Sequence, residues 1–547
     1  MKKIILLVAI FVMSCSQGKS KTVDEDNAKS DSDEKTADIE QTDKDTQTVD
    51  EKQDDIRDEQ TEDEDAEIED AEIEDLVDFD TVEADPDEHE VDDGFVDEDV
   101  LDEDLVDEDS VDEEIQPDED VFLSGNEYYC DPVSGLMSND GSKNSPWGSL
   151  ADVFTAKKTF LAGDIIYLRS GAHGEPFMTG VNSDYVHIQG YPGDAPVIAS
   201  IQMESSKYWS FKDVSFSSDG TGGLFTRNYM FSANTNAEYV KIENCQFYSA
   251  LDSSSWSKSD WYSNAEDAVI LRGDHIVFKE NTIKNVYFAL EISGDHALVS
   301  NNLIDNFGAD AIRALSSHSE YIGNTVRDAY IEDYSVNHDD GIQMYDKDNV
   351  TSGIIEDVVF RNNKIYNFKD PITPQMVTDN LVGYSMQGII ITDGYAKNVV
   401  IENNLVVSDH YHGITLQGAQ NCRIQNNTVV KTPQSQNPTL DAIPWIQCRK
   451  DKQNKQCSDT VLRNNISSKL TPWTYDDGTN ITAENNLEPS VGIYNTYFVD
   501  YANFDYHLRS DSPAKDAGNN TDLSSYDIDG NPRQVGEKVD CGAYEFQ

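Results

Sequence analysis

The stretch VVIENNLV, residues 399–406, decides the fold, because the same phrase returns along the second part of the chain. Apolar residues alternate with polar ones, and an asparagine precedes the last apolar pair. The phrase recurs as VKIENCQF, IVFKENTIK, ALVSNNLI, YIGNTV, VVFRNNKI, CRIQNNTVV, VLRNNIS and ITAENNL. Alternating apolar residues indicate short strands, and asparagine tolerates the left-handed backbone of a tight corner.

The asparagines of this phrase follow a repeating interval. They are Asn244, Asn281, Asn302, Asn324, Asn363, Asn404, Asn427, Asn465 and Asn486, with separations of 37, 21, 22, 39, 41, 23, 38 and 21 residues. The short separations define a period of about 22 residues, and the long ones are one period plus an insertion. A coil of that length cannot bury its own apolar face, so coils stack. We therefore expect an all-β solenoid, a right-handed parallel β-helix whose asparagines form an amide ladder.

A second strand in each coil predicts an exterior face. Its copies read DAVILRG (267–273), FALEISG (288–294), DAIRALS (310–316), DGIQMYD (340–346), QGIIITD (387–393), HGITLQG (412–418) and DAIPWIQ (441–447). Their third and fifth residues are mostly apolar and are expected inside, so the fourth and sixth point out. This places Glu291, Arg313 and Gln343 side by side, with Arg272 and Tyr345 on the next outward row. Asp310 and Asp340 line the adjacent corner, and insertions after Asn324 and Asn363 are expected to wall a groove beside it.

The two ends of the solenoid need caps. In SPWGSLADVFTAKKTFLAGDIIYL, we predict a short helix that opens at Ser145 and Pro146 and ends near Gly163, followed by a buried strand. The last residues, around DYHLRSDSPAKDAG and VDCGAYEF, are expected to form a closing module.

The chain begins MKKIILLVAIFVMSC, in which two lysines precede a short apolar run. Residues 1–15 are predicted to be a secretory signal, too short to span a membrane. VMSC resembles the lipobox of bacterial lipoproteins, which makes Cys15 the acylated residue; the alternative is an ordinary signal peptide with an incidental cysteine. Ser16 resembles the sorting pattern for the outer membrane. We expect an outer-membrane lipoprotein.

Residues 16–122 are predicted to be a disordered acidic spacer. Residues 1–120 hold 50 acidic and 9 basic residues, a charge of −41 out of −65 for the chain. Such a segment repels itself and cannot bury enough apolar surface to fold. Loose calcium binding by its carboxylates is an alternative role. Residues 123–547 form the predicted β-helix domain, expected to be a monomer, and the acidity of the chain argues against nucleic acid as a partner.

The cysteines suggest where the exported domain is crosslinked. Cys448 and Cys457 bracket the loop RKDKQNKQ and are predicted to form a disulfide. Cys130 and Cys541, near the two ends of the domain, are a second and more speculative pair. Cys245 and Cys422 are expected to fill core positions.

The segments EYYCDPVSGLMSNDGSKNSPWGSL, SPAKDAG and VDCGAYEF resemble the terminal modules of the pectate-lyase-like superfamily, right-handed β-helix proteins that act on extracellular polysaccharides. NHDDGIQ (337–343) is similar to the acidic calcium motif of family-nine polysaccharide lyases. That match implies Ca²⁺ ligation by Asp339 and Asp340, joined by Asp333 or Asp310. DAIRALSSHS (310–319) is similar to the Ile-Arg strand of family-six lyases, which act on alginate or dermatan-type chains.

The resemblance implies a calcium-assisted lyase acting on a uronate-containing polysaccharide. A lyase removes the proton α to a carboxylate, and a cation neutralises that carboxylate. Arg313 is a candidate base or a grip for the substrate carboxylate, with His338, Lys364 and Lys369 as further catalytic candidates. Glu291, Gln343, Tyr345 and Arg272 are the candidate substrate-binding residues.

Two other functions stay open at this point. A non-catalytic carbohydrate-binding or adhesion β-helix would only display a binding face. A glycoside hydrolase is the third option, because DHYHGITLQG (409–418) is similar to the Gly-His-Gly strand of polygalacturonase-type hydrolases, and paired carboxylates suit hydrolysis. A basic side chain within reach of Asp339, Asp340 and Arg313 would favour the lyase over the binding module.

Overall fold

The computed structural model describes residues 125–219, 228–330, 339–345, 354–378, 385–392, 394–433, 442–470, 474–475 and 477–547. The predicted signal peptide, Cys15 and the acidic spacer lie outside these residues, as do Asp333 and His338. Most of the predicted groove-walling insertions lie outside them too. In the ranges given, the longest helix has seven residues, and no helix combines the length and the apolar character needed to cross a membrane.

The first coils carry an N-terminal helix at Leu150–Thr155, which is shorter at both ends than the predicted one and stops well before Gly163. It begins later than Pro146 because Ser149 caps it: the Ser149 Oγ accepts from the N–H of Asp152, and the Asp152 carboxylate accepts from the N–H of Ser149. Leu150 and Val153 are buried in the core that the first strands form. Those parallel strands are Glu127–Cys130, Ile165–Leu168, Phe177–Gly190 and Ile201–Lys212.

Three parallel faces wrap each later coil, and we name them A, B and C in chain order. Face A consists of Tyr229–Ala233, Asp267–Leu271, Leu290–Ile292, Ile312–Ala314, Asp340–Met344, Gln387–Ile391, His412–Gln417 and Trp445–Arg449. Face B consists of Glu238–Glu243, Val277–Lys279, Leu298–Ser300, Ser319–Ile322, Val358–Arg361, Val400–Glu402, Arg423–Gln425, Val461–Arg463 and Thr482–Glu484. The long strand Ile201–Lys212 pairs with the first strand of both faces.

Face C closes each coil. It consists of Gly171–Ala172, Pro196–Ile198, Ser215–Phe216, Gln246–Tyr248, Thr282–Val286, Leu303–Phe307, Thr325–Ala329, Lys364–Tyr366, Leu405–Val407, Thr428–Val430 and Ile466–Ser467. Inward residues of all three faces form one continuous core, with side chains such as Phe278, Ile342 and Ile365 fully buried. The predicted parallel solenoid is therefore present.

The register of face A matches the sequence alignment in all but its last member. Ile312 pairs with Ile342, and Ile389 with Ile414, as aligned. In the last coil Ile446, rather than Ile443, pairs with Ile414, and a bulge after His412 absorbs the shift. Ile443 is instead 41% exposed. The alignment failed there because a proline and a tryptophan interrupt the alternation that set the register elsewhere.

The amide ladder runs along the corner between faces B and C. In each rung, the backbone N–H and Nδ2 of one asparagine donate to Oδ1 on the next coil, at 2.8–3.1 Å. The members are Asn281, Asn302, Asn324, Asn363, Asn404, Asn427, Asn465 and Asn486. Asn244 was wrongly included: it is exposed at the preceding left-handed position, with φ of 50°. Cys245 takes the ladder position there, and its N–H donates to Asn281.

The C-terminal residues form the predicted closing module, which packs on the outside of face C. It contains Val491–Ile493, Tyr494–Tyr497, Phe498–Asp500, Tyr501–Asn503 and Asp505–Leu508, of which the two strands pair antiparallel. Its buried side chains, among them Tyr494 and Tyr506, form a second core with Leu405, Val407 and Val430. Under this module Val407 and Val430 occupy the outward row that carries Lys284, Asp305 and Arg327 in earlier coils.

Two further helices and one small sheet belong to the insertions. The helices are Lys258–Asn264 and Pro374–Thr378, and the strands Ile354–Glu356 and Tyr395–Lys397 pair in parallel. Trp261, in the first helix, is 5% exposed and contacts the Tyr330 ring at 4.9 Å between centroids. This contact fixes the insertion against the corner between faces C and A.

Candidate functional site

Three acidic residues meet at the corner that precedes face A. The register puts Asp267, Phe288, Asp310, Asp340 and Gln387 at the same position on successive coils. The N–H of Asp340 donates to Oδ1 of Asp310 at 3.1 Å, and the N–H of Gln387 donates to the carbonyl oxygen of Asp339 at 3.0 Å. Asp310, Asp339 and Asp340 are all at most 4% exposed. The structure thus brings together the three described members of the predicted metal set.

The small residue after each corner position is required by the packing. A Cβ atom added at Gly388 would lie 2.1 Å from the carbonyl oxygen of Gly413 on the next coil. Backbone from neighbouring coils therefore approaches too closely for any side chain at that point. The same closeness holds the corner side chains in one row.

Arg313 is the cation of this cluster. Its Nε donates to Oδ2 of Asp310 at 2.7 Å, and its Nη1 lies 3.8 Å from Oε2 of Glu291. The guanidinium lies over the Phe288 ring, 3.9 Å from the centroid. Burial opposes the charge on Arg313, but Asp310, Tyr345 and Glu291 outweigh it, and the net effect raises the pKa. A guanidinium held charged in this way is suited to gripping an anion and unsuited to abstracting a proton.

Asp340 carries the most unusual carboxylate of the site. It is fully buried, and neither of its carboxylate oxygens has a hydrogen-bond partner in the part of the chain that the structure describes. Burial, followed by the charges of Asp310 and Asp339, raises its pKa well above the ordinary value for aspartate. A buried carboxylate is stabilised either by protonation or by a cation. Asp340 is thus a group that a metal ion or a proton would satisfy.

The donor set fits a hard cation in part. Ca²⁺ takes six to eight oxygen ligands, preferentially carboxylates, carbonyls and water. Asp339 and Asp340 would hold the ion. Asp310 contributes less, because its Oδ1 already accepts from Asp340 and its Oδ2 from Arg313.

A small pocket opens beside Arg313. Its lining includes Tyr229, Phe288, Leu290, Asp310 and Arg313, and it encloses about 10 Å³, room for about one water molecule. A sugar ring does not fit inside it.

The predicted substrate-binding residues occupy the expected outward rows. Glu291 pairs in register with Arg313, and Arg313 with Gln343. Glu291 is 7% exposed, whereas Gln343, Tyr345 and Arg272 are half-buried. Burial raises the pKa of Tyr345, although Arg313 opposes that shift. This face offers two cationic side chains, Arg313 and Arg272, among side chains that donate or accept hydrogen bonds.

The two candidate lysines lie on face C and in the turn that follows it. Lys364 is bound 2.9 Å from Oδ1 of Asp529 in the closing module, which gives it a structural role. Lys369 lies 4.7 Å from the centroid of the Tyr366 ring, and burial, Arg327 and Lys364 lower its pKa. Lys369 thus has the character of a base. Its described contacts are with the face C charges rather than with Asp339 or Asp340.

A second charged cluster, on face C, was missed by sequence reasoning. Arg327 donates to Asp305 at 2.9 Å, and Asp328 accepts from the N–H groups of Lys369 and Asp370 at 2.8 and 2.9 Å. Burial raises the pKa of Asp328 to about 6. The signal was available: Lys284, Asp305 and Arg327 follow the ladder asparagine at the same interval in three successive coils.

The cysteines are buried free thiols in the described chain. The neighbouring Cys457 and burial raise the pKa of the Cys448 thiol, so the predicted partners lie close together, and both are free thiols. Cys130 belongs to the core of the first coils and Cys541 to the core under the closing module, which argues against that pairing. Cys245 and Cys422 fill core positions as expected.

Comparison with known proteins agrees with the coil architecture. Residues 199–429 match the family model described as a right handed beta helix region. The predicted right-handed parallel β-helix is thereby confirmed. No curated protein matches the chain.

Several solved structures are similar to this chain at low identity. Pectate lyase Pel9A is 15% identical, with 78% of this chain and 98% of that chain covered and a TM-score of 0.40. A rhamnogalacturonan lyase is 14% identical, with 69% and 91% covered and a TM-score of 0.38. A PL6 alginate lyase in complex with a trisaccharide is 13% identical, with 68% and 86% covered and a TM-score of 0.33.

Proposed function

We propose that the chain binds an acidic polysaccharide along the face A corner and cleaves it by cation-assisted β-elimination. The observation that carries the proposal is the buried carboxylate of Asp340, which has both oxygens without a described hydrogen-bond partner and lies one coil from Asp310 and Arg313. A cation and a guanidinium at one corner are what a uronate carboxylate needs for binding. The small volume of the adjoining pocket accords with a polymer lying across the corner.

The roles follow from the contacts. Asp339 and Asp340 would hold Ca²⁺, which when bound would neutralise the substrate carboxylate and so acidify the proton α to it. Arg313, held by Asp310 and Glu291, orients that carboxylate. A base takes the α proton, and the C–H electron pair forms the carbon–carbon double bond. The bond to the glycosidic oxygen breaks, and that oxygen leaves with the electron pair and takes a proton from water to become a hydroxyl group. His338, next to Asp339 in the chain, is the proposed base.

The second candidate function is a non-catalytic binding module. This function is favoured by the contacts of Arg313, which donates to Asp310 and stacks on Phe288 and is therefore poorly suited to act as a base. In the described part of this corner, Arg313 is the basic side chain, and its raised pKa leaves it charged. A binding face of this kind would need no base.

We also propose that the domain is displayed on the bacterial outer membrane through a lipid on Cys15, with the acidic residues 16–122 as spacer. The charge of that segment would keep it extended. Metabolic labelling with a fatty acid, compared between the wild type and Cys15→Ser, tests the anchor. Equal labelling of both proteins would contradict it.

One assay separates the catalytic proposals. The full chain is incubated with pectate, alginate and glycosaminoglycans, with Ca²⁺ or with a chelator, and the ultraviolet absorbance of unsaturated uronates is followed. Absorbance that depends on Ca²⁺ and is lost in Asp340→Asn supports the lyase. Binding without absorbance on any polymer supports the binding module, and new reducing ends without absorbance indicate a hydrolase.

A further inference from the structure

A second corner row, between faces A and B, changes its chemistry halfway along the solenoid. The register places one residue from each of ten successive coils there: Tyr208, Tyr239, His275, His296, His318, Asp357, Asn398, Asn421, Asp459 and Asn480. All ten adopt left-handed backbone, with φ between 51° and 61°. The row therefore begins as aromatic rings and continues as carboxylates and amides.

The ring part of the row is a stack. Tyr208 and Tyr239 lie 4.5 Å apart between centroids, and Tyr239 and His275 lie 4.4 Å apart. His275, His296 and His318 continue it at 4.9 and 5.1 Å, with interplanar angles of 7° and 16°. This stacking fixes the orientation of the last imidazole, that of His318.

His318 is where the stack meets the carboxylates. Its Nδ1 lies 3.1 Å from Oδ2 of Asp357 on the next coil. Ligand atoms of His318, Glu356 and Asp357 all lie within 4.8 Å of one another. The side chains are 36–46% exposed, so an ion in solution reaches them directly.

The surrounding contacts hold these groups in place. The N–H of His318 donates to the carbonyl oxygen of Glu356 at 2.8 Å. Asn398 Nδ2 donates to Oδ1 of Asp357 at 2.8 Å, which leaves Oδ2 directed toward His318. Asn398 is held in turn by Asn421, whose Nδ2 donates to it at 2.7 Å. Supporting bonds of this kind orient the ligands of metal sites.

We propose that His318, Glu356 and Asp357 bind a first-row transition-metal dication, with Zn²⁺ as the probe. One imidazole nitrogen and two carboxylates suit Zn²⁺, whereas Ca²⁺ prefers oxygen ligands alone. The imidazole distinguishes this group from an ordinary acidic surface patch. Lys397 lies 3.7 Å from Glu356 and is displaced into solvent when the ion binds.

The test measures metal binding by the full chain. Excess Mg²⁺ is present throughout, so that the acidic residues near the N-terminus and the face A carboxylates are occupied by a hard cation. Zn²⁺ binding is followed by calorimetry, and Co²⁺ is used as a second probe because its visible absorption reports nitrogen and oxygen ligation. We expect one site above the background, weakened at least about tenfold in both His318→Ala and Asp357→Asn.

Two control variants make the result specific. His275→Ala removes a ring from the same stack, between Tyr239 and His296, and should leave the Zn²⁺ affinity unchanged. Asp357→Asn places in this coil the same side chain that Asn398 has in the next coil, so the row is preserved. Thermal unfolding in chelator confirms that each variant is folded. Equal Zn²⁺ affinity in the wild type, His318→Ala and Asp357→Asn overturns the proposal. Loss of the site in Asp340→Asn instead would place the ion at face A and also overturn it.

Discussion

Asp340 donates its backbone N–H to the carboxylate of Asp310 at 3.1 Å, while its own carboxylate lies fully buried beside that same negative charge. The pair is therefore costly to keep ionised without a cation. The negative charges at this corner are neutralised only in part by Arg313, through its 2.7 Å bond to Asp310.

The first prediction concerns Asp340→Asn. Without divalent cations, we expect this change to raise the free energy of unfolding by about 1–3 kcal/mol, because it removes a buried charge that lacks a described partner. With Ca²⁺, the wild type should gain stability and the variant should not. Thermal unfolding with Ca²⁺ and with chelator measures both effects. If Ca²⁺ stabilises the two proteins equally, the ion does not bind at Asp340.

The second prediction concerns the guanidinium of Arg313. Arg313→Lys keeps the charge but loses the Nε bond to Asp310 and the contact with Phe288. We expect affinity for the acidic polymer to fall on the order of tenfold, since lysine does not reproduce the fork geometry of arginine. The matched control is Arg509→Lys, at an exposed pair with Asp511 in the closing module. Unchanged polymer binding in Arg313→Lys would argue against the gripping role.

The third prediction is a pH dependence of stability. Burial raises the pKa of Asp328 and Asp409 to about 6, and that of Glu545 to about 7. In the unfolded chain these groups titrate near 4. Because the folded values are higher, the stabilisation is complete below about pH 4 and is lost as the pH rises through about 6 to 7. We expect the melting temperature to fall between about pH 4 and pH 7.

A combined variant tests the origin of that slope. Asp328→Asn, Asp409→Asn and Glu545→Gln together remove the three titrations while keeping the side-chain sizes. The dependence of melting temperature on pH should flatten in this protein. If the slope is unaltered, the pH dependence of the melting temperature has another cause, such as the general charge repulsion within a chain of net charge −65.

The fourth prediction concerns the amide ladder. Asn404→Ala leaves the N–H and Nδ2 groups of Asn363 without their acceptor, and it removes the bond that Asn404 Nδ2 donates to Asn427. We expect a loss of about 2–4 kcal/mol, because buried donors are left unsatisfied. Asn244→Gly, at an exposed left-handed position outside the ladder, should cost less than about 1 kcal/mol. Chemical denaturation compares the two, and similar losses would contradict a special role for the ladder.

The fifth prediction uses one outward row of face C. Leu303 and Leu405 occupy equivalent positions, but Leu405 is fully buried under the closing module and Leu303 is half-buried. Leu405→Lys should destabilise the domain by about 3 kcal/mol or more, because it buries a charge. Leu303→Lys should be tolerated, since Lys364 already occupies that row. The difference in unfolding midpoint is the measurement, and a smaller effect at Leu405 than at Leu303 would refute this account.

The repeating elements were predictable because every coil imposes the same steric demands. The inward positions of face A, such as Ile312 and Ile342, were found from alternation alone, and the register followed from the small residue beside them. The ladder was found as well, but Asn244 was misassigned, since asparagine is favoured both at the ladder position and at the left-handed position before it. Sequence alone does not separate these two reasons for the same residue.

The site was predictable in position and less so in chemistry. Asp310, Asp340 and Arg313 were placed together by the register. That Arg313 would bond Asp310 and stack on Phe288, and that Asp340 would be fully buried, depend on side-chain packing between coils. The same is true of Lys364, whose partner Asp529 lies 165 residues later in the closing module. Contacts between repeats and a non-repeating cap carry no periodic signal.

The closing module also limits how this domain can change its length. Its core is matched to Leu405 and Ile466 on one outward row of face C and to Val407 and Val430 on the other. The coils before Lys364 present mostly polar residues on these rows, such as Lys284, Asp305 and Arg327. Inserting or removing a whole coil before Lys364 leaves the apolar surface under the closing module unchanged, provided that the amide ladder continues. The same change between Lys364 and Ile466 would move part of that apolar surface away from the closing module. Variation in coil number is therefore tolerated in the first half of the solenoid and restricted in the second.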